Sequence, residues 1–179
     1  SLIFMSSSEI YGDPDASKIP TSEDYRGFVS CTGPRSCYDE SKRFGETLCV
    51  YYSSIYNLNI SMVRPFNNYG PGLSINDRRL PADFAKAIIN NFDIELLSDG
   101  SPTRTFCYVS DAINGFMRVF LNGVAGSPYN IGNPHPEISV LELVKKLESI
   151  SDTKVTYKVI DYPDSYPADE PIRRAPDIF

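Results

Sequence analysis

Tyr38 and Lys42 stand four residues apart in the stretch 34–56. Pro34 suits the opening of a helix, because its missing N–H is not needed in the first turn. Tyr38, Phe44, Leu48, Cys49, Tyr52 and Ile55 then recur at close to helical spacing. Positions i and i+4 share one helix face, so the phenol and the ammonium can point into one site. A free tyrosine titrates near ~10, which leaves little phenolate at neutral pH. A neighbouring lysine charge favours the phenolate. The pair then serves as a general base that takes a proton from a sugar or alcohol hydroxyl. The same spacing also fits a Tyr and a Lys that share a face with no chemistry, so the surrounding chain has to decide.

Residues 2–6 read as a short strand, apolar on both faces as in a parallel sheet. Ser6, Ser7, Ser8 and Glu9 follow at its carboxyl end, where open α/β sheets gather their ligands. The alternative is that the serines only cap the strand and that Glu9 is a solvated loop acid. Residues 13–34, rich in Pro, Asp, Ser, Thr and Gly, read as a long loop. A strand over 59–63 runs into Arg64, Pro65, Phe66 and Asn67 and a Gly-Pro-Gly turn. Strand, loop, helix, strand is the order of half a doubly wound sheet.

Further on, the pattern predicts a helix over 80–91, a strand over 94–97, a turn over 98–102 and one strand over 103–109. A helix to about Asn122 follows, with Ser110 or Asp111 as its cap. A strand over 129–131, a helix opened by the Ser139/Glu142 capping box and a strand over 155–160 complete the series. The Pro- and Asp-rich tail 161–179 carries Arg173 and Arg174 and shows no terminating structure.

Composition narrows the function classes. The chain has 179 residues, 41% of them hydrophobic, and a net charge of −6. No basic stripe for nucleic acid is visible, and no apolar run reaches the ~18 residues of a membrane span. The start, Ser-Leu-Ile-Phe-Met, lacks the basic flank of a signal peptide. Cys31, Cys37, Cys49 and Cys107 form no Cys-x-x-Cys pair, and His135 is the single histidine. No metal site is therefore expected, and a reducing cytoplasm suits such scattered cysteines.

Four motifs in order then carry a resemblance: Ser7-Ser8-Glu9-Ile10-Tyr11-Gly12, Tyr38-x-x-x-Lys42, Arg64-x-Phe66-Asn67-x-Tyr69-Gly70-Pro71 and Arg104-x-Phe106-x-Tyr108-Val109-x-Asp111. Together they resemble the extended short-chain dehydrogenases, the NAD-dependent epimerase/dehydratase family, which act on nucleotide sugars. The resemblance implies an α/β fold: the C-terminal part of a Rossmann-like doubly wound parallel sheet plus a smaller α/β substrate lobe. It divides the chain into 1–68, in the cofactor domain, and 69–179, mainly the substrate lobe, with 103–122 returning to the cofactor domain.

Within that family the chain is most similar to the UDP-glucuronate decarboxylases. The echoes are Gly33-Pro34-Arg35-Ser36-Cys37-Tyr38-Asp39-Glu40, Asn76-Asp77-Arg78, Ser101-Pro102-Thr103-Arg104, Asn130-Ile131-Gly132-Asn133-Pro134 and Arg174-Ala175-Pro176-Asp177-Ile178. The resemblance makes Tyr38 the base at the sugar 4-hydroxyl, with Ser7 orienting that hydroxyl. Lys42 supports the phenolate and binds the nicotinamide ribose, and Glu9 is the acid/base partner for later steps. Ser6 and Pro65 would join Tyr38 and Lys42 on NAD. Ser8, Asn67, Arg104 and Arg174 would hold a UDP-sugar, although Arg174 equally suits a surface ion pair.

Two departures matter. The family's Gly-rich pyrophosphate turn is absent from these 179 residues, as is its last C-terminal stretch. The chain is therefore expected to be a fragment, itself inactive, of an enzyme that forms homodimers. A 4,6-dehydratase, a 4-epimerase and a non-catalytic sugar-nucleotide-binding protein remain alternatives. Ser8, where dTDP-glucose-type dehydratases have Asp, weighs against that form of dehydratase.

Overall fold

The computed structural model describes residues 1–77, 79–97, 99–161 and 172–179. Its central sheet is parallel. Strand β1 (Leu2–Met5) lies beside β2 (Ile60–Pro65), and β2 lies beside β7 (Pro128–Ile131). Leu2 faces Ile60, and Met62 faces Pro128. Helix α1 (Ser36–Tyr56) covers one face, where Phe4 and Cys49 pack with Ile60 and Met62. Helix α3 (Val109–Asn122) covers the other, where Ala112 and Val119 meet Val63 and Ile131. With helices on both sides, β2 is buried from Ile60 to Arg64 and reads as an almost continuous apolar run. The expected α/β class with a parallel, doubly covered sheet holds.

A second unit pairs β4 (Ile94–Leu97) in parallel with β9 (Tyr157–Ile160). Helices α2 (Leu80–Ile89) and α4 (Val140–Ile150) enclose it through Phe84, Ile94, Leu96, Val144 and Val155. Ser139 and Glu142 form the predicted capping box of α4, each side chain bonded to the other's backbone N–H. Between the units, short strands β3 (Asn68–Tyr69) and β6 (Cys107–Tyr108) pair in parallel. Strand β5 (Thr103–Arg104) lies between β8 (Ile138–Ser139) and β10 (Arg173–Arg174).

Several expectations need correction. The single strand over 103–109 is two strands in different sheets, because Thr105 and Phe106 carry the chain from the β10 pairing to the β3 pairing. Helix α3 starts at Val109, with extended Tyr108 at its cap and no side-chain bond there. Ser110 and Asp111 lie inside its first turn, where an acid suits the helix dipole. Helix α1 begins at Ser36, and Pro34 belongs to the turn before it. The tail is not without structure: β10 forms, and Pro176 bridges to Thr21. The remainder of the tail, 162–171, together with Arg78 of the Asn76–Arg78 echo and Ser98 of the predicted turn, lies outside the described residues.

The long loop 13–34 is held by a buried charge. Arg64, on β2, is 7% exposed. Its Nε and Nη2 donate to Glu46 of α1 at 2.8 and 2.6 Å, and its Nη1 donates to the Glu23 carbonyl of the loop at 2.8 Å. Burial works against the charged guanidinium, yet the bonds to Glu46 and Tyr11 hold it above its ordinary pKa. Removing one partner of such a pair leaves an uncompensated buried ion. Glu46→Ala is expected to lower unfolding stability by about 3 kcal/mol, read by urea denaturation. Glu46→Leu combined with Arg64→Met should recover most of that loss.

Candidate active site

The carboxyl ends of β1 and β2 open into a cleft of about 840 Å³. Every residue singled out in the sequence lines it except Lys42: Ser6, Ser7, Ser8, Glu9, Tyr38, Pro65, Asn67, Arg104 and Arg174. Local backbone explains the placement. Beyond β1 the chain makes a 3₁₀ turn over Ser8–Tyr11, capped by Ser7, whose Oγ accepts from the Glu9 N–H at 3.2 Å. That turn buries Ser8 and aims Glu9 into the cleft. Asn67 sits at φ 40° where β2 gives way to β3, and its Nδ2 donates to the Thr105 carbonyl at 3.0 Å. Leu80, Pro81, Phe106 and Val140 supply an apolar wall.

Tyr38 lies in the first turn of α1, and its side is half-exposed to the cleft. Lys42 lies one turn on. Its Nζ is 5.6 Å from the Tyr38 ring centroid and donates to the Met5 carbonyl at 2.9 Å. The lysine is thus tied to the end of β1 while its charge stands beside the phenol ring. The Ser6 hydroxyl, on the same strand end, is buried and has no hydrogen-bond partner among the described residues.

Two of the cleft's arginines, Arg35 and Arg174, meet at Glu9. Its carboxylate accepts from Arg35, and from Arg174 at both oxygens, with Arg174 Nη2 to Oε2 at 3.0 Å. Arg174 was read from sequence as a substrate contact; here it meets the candidate acid/base residue directly. Arg104 donates to the carbonyls of Thr103 and Ile172 at 2.8 and 2.9 Å. Arg79, paired with Asp77, lines the same cleft and is close enough to Tyr38 to sense its charge. An acidic protein thus brings Arg35, Arg79, Arg104 and Arg174 to one cleft, which suits a ligand with several anionic oxygens.

The sequence reading gave no role to Arg35 or Arg79. Arg35 stands three residues before Tyr38, a helical spacing that places both over one turn. It was visible in the Gly33-Pro34-Arg35 echo, but nothing local distinguishes it from a surface arginine. Arg79 follows Asn76-Asp77-Arg78 and carries no spacing signal of its own.

Comparison with known proteins fits this geometry. The model of the NAD dependent epimerase/dehydratase family matches residues 1–132. UDP-glucuronic acid decarboxylase 1 of Xenopus tropicalis is 37% identical over 179 residues, 99% of this chain and 40% of that protein. UDP-glucuronic acid decarboxylase 6 of Arabidopsis thaliana is 37% identical over 177 residues, 99% of this chain and 49% of that protein. The chain therefore spans about half the length, or less, of these relatives. Among solved structures, UDP-glucuronic acid 4-epimerase from Bacillus cereus, in complex with UDP-glucuronic acid and NAD, superposes with a TM-score of 0.82. It is 28% identical and covers 98% of this chain and 52% of its own.

Behind the cleft, Tyr11 closes the turn that carries Glu9. Its hydroxyl accepts from Arg64 Nη1 at 2.7 Å and donates to Asn130 Oδ1 at 2.8 Å. Burial pushes this phenol from 10.0 up to about 12, against the pull of the Arg64 charge. The folded state therefore keeps its proton in a range where the unfolded chain loses it, and stability falls as pH rises through that window. Unfolding free energy should decline between about pH 10 and about pH 12. Tyr11→Phe should flatten the part of that slope due to this residue, as read by urea titrations across the range.

Proposed function

The chain belongs to the NAD dependent epimerase/dehydratase family, and on that premise we propose that it carries the sugar-reacting site of a UDP-glucuronate decarboxylase. The product would be UDP-xylose, reached through a 4-keto sugar. The observation that carries this reading is the convergence of Ser7, Glu9 and Tyr38 with Arg35, Arg104 and Arg174 in one cleft. The printed activities of the Xenopus and Arabidopsis relatives support it.

The residues present fit the nicotinamide end of NAD. Ser6 offers a buried hydroxyl without a protein partner among the described residues, Lys42 stands beside Tyr38, and Pro65 closes the end of β2. When bound, NAD supplies a hydride acceptor at sugar C4 and returns the hydride at the end of the cycle. Tyr38 takes the proton from the 4-hydroxyl, with the Lys42 ammonium beside its ring. Ser7 orients that hydroxyl. The 4-keto group then accepts the electron pair released when the carboxylate leaves as carbon dioxide. Glu9, held by Arg35 and Arg174, moves the proton at the carbon left behind. Ser8, Asn67, Arg104 and Arg174 hold the nucleotide-sugar, with the guanidiniums on its anionic oxygens.

We assign 1–68 to the cofactor domain and 69–179 mainly to the substrate lobe, with 103–122 returning to the first; the packing of α3 on the β1–β2–β7 sheet supports the return. A homodimer is supported by the exposed apolar face of α1, which carries Phe44, Leu48, Tyr51 and Ile55. Free Cys31, Cys37, Cys49 and Cys107 support a reducing, cytoplasmic setting. Among the described residues, no helix is long and apolar enough to cross a membrane.

A 4-epimerase is the second reading, favoured by the likeness to the Bacillus cereus structure, whose ligand is also UDP-glucuronic acid. Product analysis separates the two. The full-length protein given UDP-glucuronate and NAD is expected to release carbon dioxide and a UDP-pentose, with no net NADH. A UDP-hexuronate epimer, or a 4-keto-6-deoxy product from a neutral nucleotide hexose, overturns the decarboxylase reading. Tyr38→Phe should lower kcat by about 100-fold or more, measured by single-turnover carbon dioxide release.

A further inference from the structure

Asn130 lies on β7, is 7% exposed, and does not line the cleft. Its side chain nevertheless joins the supports of both members of the Glu9–Arg174 pair. Oδ1 accepts from Tyr11, the last residue of the turn that holds Glu9. Nδ2 donates to the carbonyls of Thr21 and Asp177, both at 2.9 Å. Thr21 and the segment after Arg174 are themselves knitted together: Thr21 N–H donates to Ala175 O, and Asp177 N–H to Thr21 O, each at 2.9 Å. The backbone N–H of Asn130 adds a bond to the Glu23 carboxylate at 2.8 Å.

One amide thus turns its acceptor toward the Glu9 turn and its donors toward the Arg174 strand. A carboxylate of the same shape would lack those donors, and an aliphatic side chain would lack both. On its outer edge the strand is fixed by the β5–β10 ladder. The Thr103 N–H to Ile172 O bond there is 3.0 Å, but the bond to Arg174 itself, from Thr105 N–H, is 3.4 Å. Ahead of Arg174 the strand is also held by Arg104 Nη1 to Ile172 O at 2.9 Å and by the Arg173–Glu137 pair, and the residues just after Arg174 are held by Thr21 and Asn130.

We infer that Asn130 is a positioning residue that holds the Arg174 guanidinium on the Glu9 carboxylate without touching substrate. Its catalytic consequence rests on the roles proposed for Glu9 and Arg174; its structural consequence does not. The first test is amide hydrogen exchange on this chain. Asn130→Ala should speed exchange at the Thr21 and Asp177 N–H groups about tenfold or more, while Met62 and Val63 in the central sheet keep their rates. Tyr11→Phe, which removes the bond to Asn130 together with the bond from Arg64 and keeps the buried ring, should give a smaller rise of about threefold at the same amides. Equal acceleration in the central sheet, or none at Thr21 and Asp177, overturns the inference.

The second test is kinetic, on the full-length enzyme. Asn130→Ala should lower kcat about tenfold with KM changed less than about twofold, and should add nothing once Arg174 is already alanine. Full additivity with Arg174→Ala overturns it. If the wild-type protein does not turn over UDP-glucuronate, the function proposed above fails, and the exchange experiment still decides the role of Asn130.

Discussion

A guanidinium in the interior of a protein must be answered on nearly every side, and Arg64 is answered by elements far apart in the chain. Glu46 comes from α1, the Glu23 carbonyl from the loop, and the Tyr11 hydroxyl from the turn beyond β1. A buried ion pair contributes little net stability compared with a well-packed apolar alternative, but breaking one side of it is costly. Its value here is geometric. The three partners cannot meet Arg64 unless α1, the loop and the turn all stand at one place, and that place lies behind the cleft. Tyr11 passes the constraint on to Asn130, and Asn130 passes it to the residues beyond Arg174.

The cleft itself shows how an acidic chain can build an anion site. The net charge of −6 is not mirrored locally, because Arg35, Arg79, Arg104 and Arg174 all line this one cavity. Each is partly occupied by protein acceptors, Glu9, Asp77 or backbone carbonyls. Such partners keep the guanidiniums oriented and limit the side-chain entropy that would otherwise be lost on ligand binding. Glu9 thus anchors cations as well as being a candidate for proton transfer.

Much of this was legible in the sequence, and the reason differs from residue to residue. The Tyr38–Lys42 spacing declares itself because helical periodicity is local. Ser6 to Glu9 could be read because they follow an apolar strand in an α/β order, and ligands gather at such ends. The Ser139–Glu142 box is a short-range signature and was found where predicted. What escaped was non-local. Nothing near Arg104 announces that its strand stops after two residues and that the chain crosses to a different sheet. Nothing near Arg174 announces Glu9, and nothing in Tyr11, Glu46 or Asn130 taken singly announces that they share one buried network. Arg35 was printed beside Tyr38 and still had no assignable role, because its partner lies in another turn.

The Glu9–Arg174 contact joins residues separated by 165 positions. Strand β1, helix α1 and strand β2 can pack while the later part of the polypeptide is still being synthesised, since their contacts lie within the first 65 residues. The charged pair cannot. At ribosomal rates of about 5–20 residues per second, the roughly hundred residues that separate β2 from Arg174 take several seconds to appear. For most of that interval β1 and β2 stand without β7, and of the two arginines that meet Glu9 the nascent chain holds Arg35. The Arg174 side of the cleft is therefore made well after the Glu9 side, and a chaperone meeting this polypeptide on the ribosome would find the two in that order.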